Sequence, residues 1–383
     1  MATSVGDGRY AADFGPFDGR SWFNTAHQGP LPKVAVQAAQ ECLSQRIRPS
    51  EIRDADFFEV PQRLRDALAG LIGAASADII LGNSTSYGLD LLANGIRWER
   101  GDEILLVKGD FPADIYPWFV LREKGVEIRF CEFLGPVITA EGLEKEISGK
   151  TRLFCTSWVN SFTGHAIDVA ALGRVCRDRG VLFVLNASQA LGACVLDIQG
   201  TAVDAVTCCG YKWMCGPYGT GFCWLTPPLR ESLVPQHAYW LPMQAGKPLD
   251  QMRDCTLRQD LGARALDIFC TANFFNFVPW TACLNYILDA GPERIAVYDQ
   301  QIVEKVVRGL DRDRFELLSP ENGASRSPLI VIRPLNLHDG LQWQQRLARA
   351  GVDVAVREGN LRIAPHLHNT MADVDRLLTE LAS

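Results

Sequence analysis

The chain has 383 residues, of which 47% are hydrophobic and 22% charged, with a formal net charge of −7. Those proportions describe an ordinary globular protein, long enough to bury a large core and divide into a major and a minor lobe. The acidic balance argues against nucleic acid or an anionic membrane as partner, and no apolar run reaches the roughly eighteen residues of a membrane span. The polar start, MATSVGDGRY, is not a signal-peptide pattern. The twelve cysteines are scattered, mostly in apolar segments and without a C-x-x-C pair. They read as reduced, buried thiols in a cytoplasm, with no metal site among them.

Residues 1–20 are polar and glycine-rich and read as a loose arm. Trp22 to Pro30 forms a turn of small residues holding His27, either a structural histidine or a substrate contact. Apolar residues then recur at helical spacing over Lys33–Ile47 and Phe58–Ile72. A short strand, Asp78–Leu81, precedes Gly82-Asn83-Ser84-Thr85-Ser86-Tyr87-Gly88 and a helical run, Leu89–Ile96. Strand, hydroxyl-rich turn and helix N-terminus together make an anion site, because first-turn N–H groups lack partners and the dipole favours negative charge. Simple N-capping by Ser84 or Ser86 explains the same residues.

The strand from Gly101 to Lys108 ends in Gly109-Asp110-Phe111-Pro112-Ala113-Asp114-Ile115-Tyr116. Strands follow at Glu127–Phe133 and Thr151–Trp158, with a helix Ala140–Ile147 between them, and Ser157 to Gly164 brings Asn160 and Thr163 to a strand end. Helix Val169–Arg179 leads to an apolar strand, Val181–Leu185, which delivers Asn186 and Gln189. A strand at Asp204–Cys208 delivers Tyr211 and Lys212, and a glycine-rich GPYGTG follows. Alternating strands and helices predict an α/β fold, a mostly parallel sheet with its ligand at the strands' carboxyl ends. Lys212, beside Trp213 and Met214, is either a snorkelling surface lysine or a desolvated amine suited to Schiff-base chemistry.

Beyond Leu225, residues 237–262 hold Tyr239, Trp240, Arg253, Arg258 and Gln259 with no readable binding pattern. Helices at Val278–Ala290 and Pro292–Leu310 lead to strands Leu329–Arg333, Val352–Val356 and Leu361–Ile363 and a closing helix, Met371–Leu381. The expected division is an arm and helix over 1–50, a large domain over 51–275 and a small domain over 276–383.

N-x-x-Q at 186–189, Y-K-W at 211–213 and the G-P-x-G-x-G after it resemble pyridoxal-phosphate enzymes of aminotransferase class V. That group includes cysteine desulfurases, kynureninase, isopenicillin N epimerase and C–S lyases of ergothioneine and lincosamide pathways. The resemblance runs from about Phe23 to the C-terminus. It implies the fold type I transferase architecture, with a seven-stranded-type sheet and a smaller α+β C-terminal domain. It also implies pyridoxal 5'-phosphate as cofactor, an amino-acid substrate and a homodimer with shared active sites.

By that resemblance Lys212 is the catalytic, cofactor-bearing lysine and Gln189 bonds the cofactor's phenolic oxygen. Phe111, within an F-P-x-D-x-Y like that of kynureninase, stacks on the pyridine ring. Ser84, Thr85 and Ser86 grip the phosphate, aided by Tyr211. Thr271, in Phe269-Cys270-Thr271-Ala272-Asn273, reaches a neighbour's phosphate, although Cys270 and Ala272 replace the family's glycine and proline. Asn160 stands beside the cofactor. Arg362, in R-x-G-N-L-R-I-A-P-H, grips the substrate carboxylate, with Arg357 as second candidate and His27 at the substrate.

Asn186 departs from the family, which has an aspartate there to keep the pyridine nitrogen protonated. A neutral amide lacks that Coulomb effect, so either another group protonates the ring or the cofactor is a weaker electron sink. No cysteine lies after Cys283, which disfavours the persulfide chemistry of desulfurases, whose thiol sits in the small lobe. The expected reaction is β-elimination from an S-substituted cysteine in secondary metabolism. Decarboxylation coupled to oxidative deamination, epimerase- or aminotransferase-type chemistry, kynureninase-like hydrolysis, and a catalytically silent cofactor-binding protein remain open.

Overall fold

A computed structural model describes residues 8–132, 135–247, 249–253, 256–335 and 339–383. Seven strands form the main sheet, in the order Ile79–Gly82, Gly221–Leu225, Ala205–Cys209, Leu182–Asn186, Thr151–Ser157, Glu103–Val107, Glu127–Cys131. Five of them run parallel to their neighbours. Gly221–Leu225 runs antiparallel to both of its own. The sequence reading had no strand there, since its apolar run follows directly on the glycine-rich turn.

The central strands are apolar along their whole length because helices cover both faces. Leu105, Phe154, Phe183 and Leu185 enter one core layer, while Ile104, Leu106, Cys155 and Val184 enter the other. Alternation with a period of two thus serves two cores at once. Nine of the eleven described cysteines are buried within these layers and their margins, and Cys255 lies outside the described residues.

The C-terminal region forms a four-stranded antiparallel sheet, Ala355–Arg357, Asn360–Ile363, Ile330–Pro334, Phe315–Leu317. The strand expected over 352–356 is split. Val352–Asp353 pairs instead in parallel with Ser21–Trp22, tying the N-terminal segment to this region. The loose arm expected over 1–20 is also corrected where it is described. Tyr10 and Phe14 are buried, Tyr10 meets Tyr298 edge-on at 5.3 Å, and Arg20 holds Asp353 through two hydrogen bonds. Polar composition hid these two aromatic anchors.

Helices stand close to their expected bounds, with Lys33–Ile47 and Val169–Arg179 as read from periodicity and the first of these packed on Phe274–Ala290. No described helix is long and apolar enough to cross a membrane.

Candidate active site

Lys212 lies on the turn after Ala205–Cys209, at the carboxyl end of the sheet, and is 9% exposed. Trp213 and Met214 beside it are fully buried, so the desolvated reading of the lysine holds over the snorkelling one. Its Nζ stands 5.5 Å from the centre of the Phe111 ring. The turn is pinned from two sides. Gly29 N–H donates to the Tyr211 carbonyl at 2.8 Å, and a Cβ on Gly29 would sit 2.0 Å from the Lys212 carbonyl oxygen. Only glycine allows that approach. From the C-terminal side, His366 Nε2 donates to the Trp213 carbonyl at 2.9 Å while Nδ1 donates to buried Asp299 at 2.7 Å. Asp299 pushes the His366 pKa up to about 10 against the cost of burial, so the ring is a charged, doubly donating clamp.

Asn186 ends the neighbouring strand, 4% exposed. Its Nδ2 donates to both Asp114 carboxylate oxygens, each at 2.9 Å, and its Oδ1 accepts the Ser188 N–H at 3.0 Å. Gln189 is committed on both sides. Its Nε2 donates to the Ala26 carbonyl at 3.1 Å and its Oε1 accepts Trp213 Nε1 at 3.1 Å, which leaves one amide hydrogen for a ligand.

The hydroxyl-rich turn does open a helix, Thr85–Gly95, one turn earlier than periodicity suggested. Ser84 is its N-cap, accepting the Tyr87 N–H at 3.3 Å, so capping accounts for this serine. Thr85 is buried and bonded to the Ser188 hydroxyl, which joins this helix start to the Asn186–Gln189 segment. Ser86 stands half-buried on the first turn, and Tyr211 packs its ring on Tyr218 at 4.5 Å.

A cationic patch completes the cluster. Arg362 is 2% exposed, its Nε has no partner among the described residues, and its one contact is a 3.5 Å approach of Nη1 to the Ser161 carbonyl. Burial, with Arg357 adding repulsion, brings its pKa down to about 9. Arg357 is half-buried and donates to its neighbour's carbonyl, Val356 O, at 2.7 Å. The His27 pKa is lowered by burial and then by the charges of Arg357, Arg362 and Lys212 in turn, so these cations lie in its neighbourhood.

Two further expected residues have definite surroundings within the chain. Asn160 Oδ1 accepts the Phe162 and Thr163 N–H groups at 2.9 and 3.0 Å, which makes it the organiser of its turn, and Thr163 shares that network. Thr271 is buried beside a small cavity lined by Phe57, Arg65 and Asp267, not in the Lys212 cluster. Before it, Cys270 holds φ +60°, so the backbone keeps a glycine-like conformation without glycine. Asp114 went unnoticed in sequence, although the F-P-x-D pattern contains it. Its signal was the acid of that pattern, seven residues after the end of the Glu103–Val107 strand.

The aminotransferase class V family model matches residues 29–377. The chain belongs to that family. Isopenicillin N epimerase of Streptomyces clavuligerus is 27% identical over 377 residues, 94% of this chain and 93% of its own length. A probable cysteine desulfurase of Methanothermobacter thermautotrophicus is 28% identical over 246 residues, 64% of this chain and 60% of the relative. Among solved structures, the cystine C–S lyase C-DES in complex with its product cysteine persulfide superposes with a TM-score of 0.85 at 22% identity, covering 95% of this chain and 98% of that one. These matches establish the fold type I architecture and a class V enzyme, a group whose cofactor is pyridoxal phosphate. Two features of this chain fit that group: a buried lysine facing an aromatic ring, and a buried guanidinium with an unmet donor.

Proposed function

We propose that this class V enzyme is a C–S lyase that cleaves an S-substituted cysteine by β-elimination. In this reading Lys212 would hold the cofactor covalently, Phe111 would lie against its ring, the free amide hydrogen of Gln189 would serve its polar edge, and Asn186 would stand beside it. The helix start at Thr85 and Ser86, capped by Ser84 and flanked by Tyr211, takes the phosphate, since unpaired first-turn N–H groups favour an anion. Bound there, pyridoxal phosphate supplies an electron sink for charge released at the substrate Cα.

The protein's own groups do the rest. Arg362 grips the α-carboxylate with parallel N–H bonds and so regains the partner its buried charge lacks. Arg357, whose charge acts on Arg362 and His27, reinforces the preference for an anion, with His27 nearby. Lys212 Nζ takes the Cα proton, and a thiolate leaves from Cβ. The balance is a cysteine S-conjugate plus water giving a thiol, pyruvate and ammonia.

The observation that carries the lyase reading is the position of the cysteines: none lies between Arg308 and Arg362, so the stretch leading to the carboxylate arginine offers no thiol to receive sulfur. The active form in this reading is a homodimer, because Thr271 joins the phosphate site only from a second chain; Leu43 and Ile47 expose apolar surface on the Lys33–Ile47 helix, 57% and 81% exposed.

Incubation with S-alkyl cysteines is expected to yield pyruvate and free thiol, abolished by Lys212→Ala. Aldehyde and carbon dioxide instead would assign the decarboxylating chemistry. No turnover of any cysteine conjugate by protein that carries the cofactor would overturn the lyase reading.

A further inference from the structure

Asp114 differs from the ion-paired buried acids Glu103, Asp267 and Asp299. It is 1% exposed, on the turn that follows the Glu103–Val107 strand, yet it has no ion pair in the described structure. Asp267 has Arg65 and Asp299 has His366. Asp114 has three neutral hydrogen bonds instead: two from Asn186 Nδ2 at 2.9 Å and one from the Ser157 hydroxyl at 2.8 Å. Its neighbour Asp110 is already satisfied, accepting from Thr156 Oγ1, Ser157 N–H and Phe111 N–H at 2.9, 2.8 and 2.7 Å. Asp110 is bound largely by backbone N–H groups and holds the turn, whereas Asp114 is held by side chains alone, chiefly Asn186 at the neighbouring strand end.

The Asn186 amide has one orientation here. Ser188 N–H occupies its oxygen, and its nitrogen is turned to Asp114. An aspartate at position 186 would set two carboxylates against each other at the same distance, a repulsion that burial makes severe. The amide is the side chain that Asp114 requires.

We propose that Asp114 carries the negative charge that this fold's cofactor needs at its pyridine nitrogen, with Asn186 as the amide that orients it; the carboxylate absent from position 186 is displaced by one side chain. Asp114 is thus a positioning and charge-supplying residue, and a protonated ring nitrogen is its missing counter-ion. The inference rests on the pyridoxal-phosphate reading of the site. The groups around Asp114 agree with it. Burial foremost, then Asp110, push its carboxyl up to about 8, while the hydrogen bonds of Asn186 and Ser157 and the charge of Lys212 pull down. The Cys155 thiol beside it is itself held neutral by burial. A cation arriving next to such a carboxyl draws it into the ionised form and is itself stabilised by the same coupling.

Exchanging the two residues tests this. Purified holoenzyme variants are titrated by following the absorbance of bound cofactor against pH, and the dissociation constant for pyridoxal 5'-phosphate is measured. Asp114→Asn should weaken cofactor binding about tenfold or more and move the absorbance midpoint to lower pH by about one unit. Asn186→Asp alone should also weaken binding, through like-charge repulsion. The exchanged pair, Asp114→Asn with Asn186→Asp, should return both readouts to near those of the unaltered protein. If Asp114→Asn alone does not fold, the exchanged pair decides: recovery supports the proposal, and a cofactor affinity still tenfold weak overturns it. Asp114→Asn with midpoint and affinity unchanged would overturn it while the cofactor reading stands, whereas an unaltered protein that takes up no pyridoxal phosphate would overturn both.

Discussion

Two buried arginines in this molecule face opposite situations. Arg65, 3% exposed, lies against the carboxylate of Asp267, which is 1% exposed and also accepts the Leu81 N–H at 2.9 Å. Arg362, 2% exposed, has only a distant carbonyl at 3.5 Å and no carboxylate partner among the described residues. The first ties the Asp56–Ile72 helix to the segment after the Gly262–Leu266 turn. The second is a buried charge with no counter-ion among the described residues. A paired interior ion belongs to the architecture, and an unpaired one is poised for a ligand.

Crossing the two sites should separate these roles. The largest effect belongs to Arg65→Met, which leaves Asp267 buried without its counter-ion. Loss of about 3–5 kcal/mol of stability is expected, read by denaturant unfolding, with kcat/KM of the surviving folded protein little changed. Arg362→Met should do the reverse. Stability is held or raised, while kcat/KM for an amino acid falls by an amount equivalent to about 2–5 kcal/mol. Equal loss of stability in both variants would erase the contrast.

His366 offers a third buried cation, paired like Arg65. Its folded-state pKa is raised to about 10 from 6.5, so its contribution is fully present below 6.5 and is lost as pH rises through about 10. The unaltered protein should therefore lose more stability between pH 6 and pH 10 than His366→Gln does, as followed by urea midpoints. Parallel pH profiles would mean that the pair with Asp299 is not ionised. The smallest effect is expected at His27, an exposed residue whose pKa is lowered by burial and by three neighbouring cations. That lowering favours the neutral ring, so His27→Gln should change KM by no more than roughly two- to fivefold. A loss on the scale of Arg362→Met would make it a second carboxylate anchor.

Much of the frame was readable from periodicity alone. The helices at 33–47 and 169–179 and the strand ends that carry Asn186 and Lys212 follow from apolar spacing and glycine punctuation. Other features were hidden because their signal is not local. The antiparallel Gly221–Leu225 strand looks like any apolar run, and its direction depends on which strands it meets. The packing of Tyr10 and Phe14 depends on Tyr298 and Tyr286, far away in sequence. Asn160 read as a cofactor neighbour, while its carbonyl oxygen is spent on its own turn.

The sequence by itself determined the lysine, the amide in place of an acid at 186, the carboxylate arginine and the lack of a late thiol, because residue identity and spacing are properties of one dimension. Tertiary structure alone decided which charges are answered. It left Arg362 without a counter-ion, gave Arg65 and His366 theirs, and brought Asp114 against Asn186 from 72 positions away. The physical reason is that the cost of a buried charge depends on what lies within a few ångströms, and only folding sets that distance.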